Sequence, residues 1–527
     1  MAECDIYGAA SFHPQGRPLD LCQSCQAQSR QIFTESGLDF EWMSALTSDK
    51  QKREAVAWAQ NLELDQLETA HFRGWPLGEW ITTSVVSYFR HYPLRFDNWH
   101  QISVWRGFLQ GAAITALAMQ HVLDEWKPDA LWMFNGRMGP LRVAFNLARQ
   151  REIRVLIHER PLRPGAIFLY ENTPANNPKP IHDYVLAWRD VPLSTAQLET
   201  ARDWLIDRRF PPDRNLDLLY AKAPQGANHL REQLKLSKKR KTWVLFTSST
   251  DEFMGDPALV GPFETQEQWI EDVLLWLARN SQIELIIRVH PNVGGFGLSG
   301  EAKSQALYFE NLHTQLPTNA RIVGPNEALS SYDLMDICDA ALTYGTTAGL
   351  EMLALGKAVL TVPPLPIYGC AQGVILVVKR EDLDAALDEL SLRKPSVEAM
   401  RGGFRCIAHG VFDSQKEFPL VQVDERVLSR YTYSNESALA PGRDATLDRI
   451  CNFLFDGRPI FDAPTPADLA KSTNEEDIFF DALANNGTWL KPQLNARRIK
   501  LQWGRIRKGT IRRARKGLLA AKHKLGL

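Results

Sequence analysis

Residues 339–362 read DAALTYGTTAGLEMLALGKAVLTV. Ala340 to Tyr344 is an apolar run of strand length, and Gly345 breaks it. Thr346 and Thr347 stand where a helix begins, Gly349 to Leu355 continue it, Gly356 ends it, and Ala358 to Val362 form the next strand. A helix that starts just past a strand's carboxyl end presents unpaired N–H groups and a positive dipole end. Small residues and hydroxyls beside it make an anion site. Glu351 stands about one turn in, within reach of sugar hydroxyls beside a bound phosphate. Read alone, the stretch is equally an α/β crossover with threonine as helix cap.

Upstream the same rhythm repeats. Trp243 to Thr247 reads as a strand followed by Ser248-Ser249-Thr250, and Gln268 to Arg279 as a helix. Glu284 to Val289 reads as a strand ending in His290-Pro291, since proline stops the ladder. Arg288 and His290 share a face on strict alternation, so both are phosphate candidates. Gly294, Gly295, Gly297 and Gly300 follow as a loop. Arg321 to Val323 and Val374 to Val378 are further strands; Tyr332 to Cys338 and Glu381 to Leu390 are helices. Three polar turns, at 248–250, 290–291 and 345–347, therefore follow strands of one predicted sheet and converge at one edge.

The first half opens helically over 39–126, with Val104 to Trp126 apolar around much of its circumference and stopped by Pro128. Ala130 to Asn135, Leu141 to Arg151 and Arg154 to His158 then form a βαβ unit. Its strand ends carry Asn135-Gly136-Arg137 and His158-Glu159-Arg160, where ligands of open α/β sheets bind. Pro161 to Asn172 reads as a loop and short strand, Tyr184 to Trp188 as a strand, Thr195 to Leu205 as a helix, and 208–240 as a linker. Residues 444–456 form a helix able to cross back, and 459–476 read as loose.

The 527 residues suffice for two or three domains. Twelve Lys/Arg and no acid fall in 497–527; against a net charge of −1 this leaves the body near −13. An acidic body argues against nucleic acid as partner. The start, MAECDIYGAASFHPQG, lacks a basic region followed by an apolar core, so no signal peptide is expected, and no run of about 18 apolar residues occurs. Seven scattered cysteines suit a reducing compartment. Cys22-Gln-Ser-Cys25, with Cys4 and His13, offers a ligand set for structural zinc, but its irregular spacing favours reduced thiols in a cap. In the basic tail Ile499, Trp503, Ile506, Ile511, Ala514 and Leu518 recur at helical spacing. That is the pattern of an amphipathic helix lying on an anionic membrane.

Together, His290-Pro291, Gly345-Thr346-Thr347 and GLEMLALGKAV (349–359) resemble the bacterial capsule polysaccharide synthesis proteins, the group that includes the Kdo transferases. Bacterial GT-B sialyltransferases share the His-Pro and Ser/Thr elements. HERPLRPGAIFLYEN (158–172) is similar to that family's acidic segment, with Arg160-Pro161 where the family commonly has Gly-Tyr. The resemblance covers roughly 128–390 and implies an α/β, GT-B-like fold: two Rossmann-like domains facing a cleft, here with helical N-terminal additions and the C-terminal amphipathic helix. It implies that His290 and the hydroxyl turn hold the phosphate of a CMP-sugar, and that Glu159 and Arg163 line the opposite wall with Glu171 near.

The expected organisation is a cap at 1–38, an acceptor-side domain at 39–235, a nucleotide-sugar domain at 236–456, a linker at 457–496 and a membrane-surface tail at 497–527. The expected activity is metal-independent glycosyl transfer to a lipid-linked or cell-surface glycan, on the cytoplasmic face of the plasma membrane. Donor binding falls to Ser248, Ser249, Arg288, His290, Gly345, Thr346, Thr347 and Glu351. Acceptor binding falls to Asn135, Arg137, Arg163 and Glu171. Glu159 is the expected base, with Glu171 second, although ion pairing with Arg137, Arg160 or Arg163 explains either carboxylate as well. No acidic pair of DxD type stands at a strand end, so no catalytic metal is invoked. Two other activities fit the same motifs: a non-catalytic glycan- or nucleotide-binding scaffold, and transfer of an alcohol phosphate from a CDP-alcohol.

Overall fold

The computed structural model describes residues 27–485 except 28, 32, 35–38, 95–98, 162, 164, 176, 210–226, 250–251, 257–258, 296–301, 365, 419, 424–428 and 434. Cys4, His13, Cys22, Cys25 and the basic tail therefore lie outside the described residues.

From residue 49 the chain runs through three helices, α1 (Asp49–Gln60), α2 (Leu77–Phe89) and α3 (Trp99–His121). Ser48 caps α1 through a reciprocal box with Gln51. Helix α3 buries Val104, Trp105, Phe108, Leu109 and Ala112 and ends in a π turn, with Lys127 left-handed before Pro128. A small α/β unit follows: β1 (Ala130–Phe134), α4 (Gly139–Gln150), β2 (Arg154–Glu159) and β3 (Ala166–Glu171). Val143 and Leu147 of α4 join the core of these three helices. Strands β1 and β2 are parallel, but β3 runs antiparallel to β2, pairing Phe168 with Glu159 and Glu171 with Leu156.

Helices α5 (Lys179–Trp188), α6 (Thr195–Arg209) and α7 (Ala227–Gln233) lead to the second sheet. The predicted strand at Tyr184–Trp188 is helical. Ile181 and Val185, four apart, face the core, while Tyr184 and Trp188, also four apart, pack their rings against His409. A run of apolar residues this short does not distinguish the two periods; its partners do.

The second unit runs β4 (Lys241–Phe246), α8 (Gln266–Ala278), β5 (Ile283–Arg288), α9 (Lys303–His313), β6 (Ala320–Val323), α10 (Ser331–Ile337), β7 (Ala340–Tyr344), α11 (Ala348–Ala354), β8 (Ala358–Val362) and β9 (Val374–Leu376). All its pairings are parallel, in the order β6-β5-β4-β7-β8-β9. That is the doubly wound nucleotide-binding order, which reverses between β4 and β7. Trp243 and Leu245 of β4 enter one core, Val244 and Phe246 the other, so helices cover both faces and the strands are apolar throughout.

After α12 (Leu383–Leu392) and α13 (Val397–Ile407) the chain returns to the first unit. Strand β10 (Lys416–Glu417) pairs antiparallel with β3, completing the four-stranded sheet β1-β2-β3-β10. A hairpin of β11 (Val421–Val423) and β12 (Ser429–Tyr431) follows. Helix α14 (Ala445–Asp456) then lays Ile450, Phe453 and Leu454 on Leu156 and Leu169 of the first sheet. The stretch expected to be loose holds α15 (Pro466–Leu469) and α16 (Asn474–Asn485). Glu476 of α16 is fully buried; it accepts two hydrogen bonds from Arg405 of α13 (2.9 and 2.7 Å) and one from the Leu193 amide (2.9 Å). It closes the stretch expected to be loose and is held inside by a charge on a distant helix. Among the described residues no helix is long and apolar enough to cross a membrane.

Candidate functional site

The strand-order reversal places the ends of β4 and β7 side by side. Thr247-Ser248-Ser249 leaves β4 and Gly345-Thr346-Thr347 leaves β7. The Ser248 hydroxyl donates to the Tyr344 carbonyl (2.6 Å), and the Ser248 amide donates to Gln266 (2.6 Å). The Thr247 hydroxyl oxygen accepts the His290 amide (2.8 Å), which ties the end of β5 to the same frame. His290 in turn accepts the Asn292 amide on Nδ1 (3.2 Å) and caps the turn at Pro291–Gly294. Ser248, Ser249, His290 and the 345–347 turn thus lie on neighbouring strand ends.

Gly345 has φ +66, a left-handed value, and a Cβ there would stand 3.1 Å from the Pro364 carbonyl oxygen. Both the conformation and the space call for glycine. The turn is braced from below by Tyr368, 1% exposed, whose hydroxyl donates to the Thr346 carbonyl (2.7 Å) and meets Thr343 Oγ1 (3.0 Å). Burial pushes that phenol up to about 12, so it remains a donor at any ordinary pH. Thr347 makes no side-chain cap, and residues 345–348 are half-buried. Helix α11 spans only seven residues, so its dipole is slight and the turn's own polar groups dominate.

The first unit meets this edge through Arg90 and through Asp256, with the Thr83 hydroxyl also donating to the Gly255 carbonyl (3.1 Å). Arg90, at the left-handed C-cap of α2, donates from Nη2 to Ser249 Oγ (3.2 Å) and to the Asn292 carbonyl (2.7 Å). At the end of β1, Arg137 lies 3.9 Å from Asp256, which Arg142 also approaches (3.2 Å). Asn135 has φ +60, accepts the Arg137 amide on its side-chain oxygen (2.9 Å), and donates from its amide nitrogen to Glu159. Glu159 also accepts the Arg160 amide (2.7 Å) and is half-buried. Asn135, Arg137 and Glu159 therefore share the carboxyl edge of the first sheet.

A cavity of about 750 Å³ opens between α2 and the β4–α8 loop. Glu79, Tyr92, Asp256, Glu264 and Tyr344 are in its wall. Tyr344 immediately precedes Gly345. Among the described residues none of the residues predicted for donor or acceptor binding lines it.

Ser248 and Ser249, predicted to bind donor, are buried with their hydroxyls on protein partners, and four further predicted residues are engaged elsewhere. Arg288, 2% exposed, donates to the Gly324 carbonyl (2.5 Å) and reaches Ser331 Oγ (3.4 Å), fastening the β6–α10 loop; burial lowers its guanidinium to about 10. Glu351, 5% exposed, receives Arg208 of α6 (2.9 Å) and turns into the protein, not toward a ligand. Arg163 bonds the Phe412 carbonyl (3.2 Å) and Glu417 (2.6 Å), clasping β10 to the first sheet. Glu171 takes both hydrogen bonds of Arg154 (2.9 and 3.0 Å), and Arg154 also reaches the last turn of α14. Because β3 runs antiparallel to β2, Glu171 sits three pairs from Glu159, toward the opposite edge of the sheet. Arg90, Asn292, Asp256 and Tyr368 are structural members of the site that the sequence reading passes over. Only the left-handed positions and the tyrosine after Pro363-Pro364 hint at them.

The fold and site define an α/β protein of two sheet units joined through Arg90 and through Asp256. No protein-family model matches the chain, and no curated protein does. Among solved structures it is similar to the KpsC beta-Kdo 2,4 transferase of Thermosulfurimonas dismutans at 15% identity, over 52% of this chain and 78% of that one, with a TM-score of 0.33. It is similar to the Methanocaldococcus jannaschii UDP-GlcNAc 2-epimerase in complex with UDP-GlcNAc and UDP at 12% identity, over 57% and 80%, with a TM-score of 0.26. The sucrose-phosphate synthase of Thermosynechococcus elongatus gives 16% identity, 61% and 77% coverage, and a TM-score of 0.29.

Proposed function

We propose that this protein transfers a sugar from a nucleotide-activated donor, CMP-linked in the capsule-synthesis manner, to a glycan acceptor. The observation that carries this is the strand-order reversal between β4 and β7, with the braced, half-exposed turn Gly345-Thr346-Thr347 at its mouth. Ligands of such sheets bind outside the carboxyl ends at this point. Donor phosphate takes hydrogen bonds from Thr346, Thr347 and the neighbouring His290. Fixed donors aimed at the departing phosphate stabilise the charge that develops there. Glu159, oriented by Asn135, takes the proton of the acceptor hydroxyl from the first unit's strand end. The twelve basic residues of 497–527 supply attraction to an anionic membrane surface carrying the acceptor.

Thermal unfolding with CMP, CDP, UDP and GDP tests the donor site. Saturation 100-fold above Kd adds about 2.7 kcal/mol. Stabilisation by CMP supports the proposed donor, and stabilisation by UDP or GDP keeps glycosyl transfer but changes the nucleotide. A response confined to CDP moves the reading to alcohol-phosphate transfer. No response to any of the four overturns it.

A further inference from the structure

A second cluster of reactive side chains lies behind the hydroxyl turn. The loop that carries Tyr368 continues to Cys370, which lines one cavity with Cys406 of α13 and lies near His182 of α5. The three come from three separate elements. Close backbone approach brings two of them together: a Cβ at Gly402 would stand 2.9 Å from the Gln372 carbonyl oxygen, and one at Gly373 would stand 2.5 Å from the Ala399 Cβ. Cys406 is fully buried, whereas Cys370 is half-buried and opens with Cys406 onto a cavity of about 300 Å³. Arg189, Asp190 and Gln372 form its polar wall. His182, 12% exposed, lies 3.7 Å from Asp183.

We propose that Cys370 and Cys406 are a thiol pair that exchanges with small charged disulfides entering this cavity, and that the state of the pair is felt at the Gly345–Thr347 turn through Tyr368. The chemistry follows from the partners. Cys370 is the half-buried, accessible thiol and is lowered by the neighbouring Cys406 and then by His182, while Cys406, fully buried, is raised. Cys370 is thus the attacking thiolate and Cys406 the thiol that keeps its proton. Cys370 attacks one sulfur of the small disulfide; that S–S bond breaks, and the departing thiolate takes the His182 proton. Cys406 then attacks the Cys370 sulfur of the mixed disulfide, and the second small thiol leaves with the Cys406 proton. Two protein thiols are oxidised and one small disulfide is reduced to two thiols.

The coupling follows from the chain. Tyr368 stands two residues before Cys370, and the Ala371 amide closes that turn on the Tyr368 carbonyl (2.9 Å). A covalent bond from Cys370 to α13 draws on the segment whose phenol supports the Thr346 carbonyl.

The full chain, reduced and then treated with oxidised glutathione, is digested and mapped by mass spectrometry. Wild-type protein is expected to yield the Cys370–Cys406 disulfide, and Cys406→Ser to stop at the glutathione adduct of Cys370. With iodoacetamide, Cys370 is alkylated before Cys451 and Cys338, and His182→Asn shifts the pH of half-maximal alkylation upward by as much as the thiol rises. Amide exchange at 345–349 differs between the oxidised and reduced forms. Cys370 alkylated no faster than Cys451, or a glutathione adduct that persists in wild-type protein, overturns the thiol chemistry. Unchanged exchange at 345–349 overturns the coupling. None of these readouts requires the donor, so they stand or fall apart from the proposed transfer.

Discussion

Thr247-Ser248-Ser249 and Gly345-Thr346-Thr347 leave adjacent parallel strands and look alike in sequence, but their side chains face different tasks. In the first turn each hydroxyl has a protein partner: the His290 amide for Thr247, the Tyr344 carbonyl for Ser248, and Arg90 with Asn292 for Ser249. Ser248 and Ser249 are buried. In the second turn the support comes from beneath, from Tyr368 to a backbone carbonyl, and the threonines stay half-exposed. One turn joins strands and units together; the other is held so that its surface remains open. A hydroxyl-rich turn therefore signals a site only when something else satisfies the backbone around it.

Two changes test that contrast. Replacing Thr346 and Thr347 together by valine should cost about 100-fold in transfer or nucleotide affinity, near 2.7 kcal/mol, with the melting temperature unmoved. If binding survives, measured by calorimetry with the stabilising nucleotide, the open turn is not the phosphate site. Arg90→Ala acts on the other turn. It leaves Ser249 and the Asn292 carbonyl without their charged donor and should lower stability by about 2 kcal/mol in urea unfolding. A loss below a few tenths would mean that the closed turn does not join the units.

A third change concerns the chain that returns from the second unit to the first. Lys416 of β10 is lowered to about 8, first by burial and then by Arg449. Its folded pKa lies below the unfolded value of 10.5, so folding disfavours the charged form. The destabilisation is complete below about 8 and fades as pH rises from 8 toward 10.5. Lys416→Met should remove that rise in stability between pH 8 and 10, read from melting curves across the range. A pH dependence identical to that of the wild type would place the lysine in solvent.

Much of the second unit was legible because its strands are continuous apolar runs bounded by Gly, Ser and Thr. Ala340–Tyr344 and Ala358–Val362 fall where the residues place them. The first unit was harder. Tyr184–Trp188 has strand-like composition and becomes helical through partners more than 200 residues away. Glu159 and Glu171 look equivalent in sequence, and the reversal of β3 sends them toward opposite edges. Arg288 alternates with His290 as expected, but the polypeptide leaves the strand after 288, and its guanidinium finds the carbonyl of Gly324 first.

The sequence alone determined the α/β class, the second unit's alternation of strand and helix, and the hydroxyl turn at 345–347, because these depend on local period and on glycine's freedom at positive φ. Tertiary structure decided which polar groups remain open to a ligand. A buried charge takes the nearest partner that repays its desolvation, and for Arg90, Arg288, Glu351 and Glu476 that partner lies far along the chain. No local pattern carries that information, since the pairing exists only once the two sheets and their crossing helices have packed.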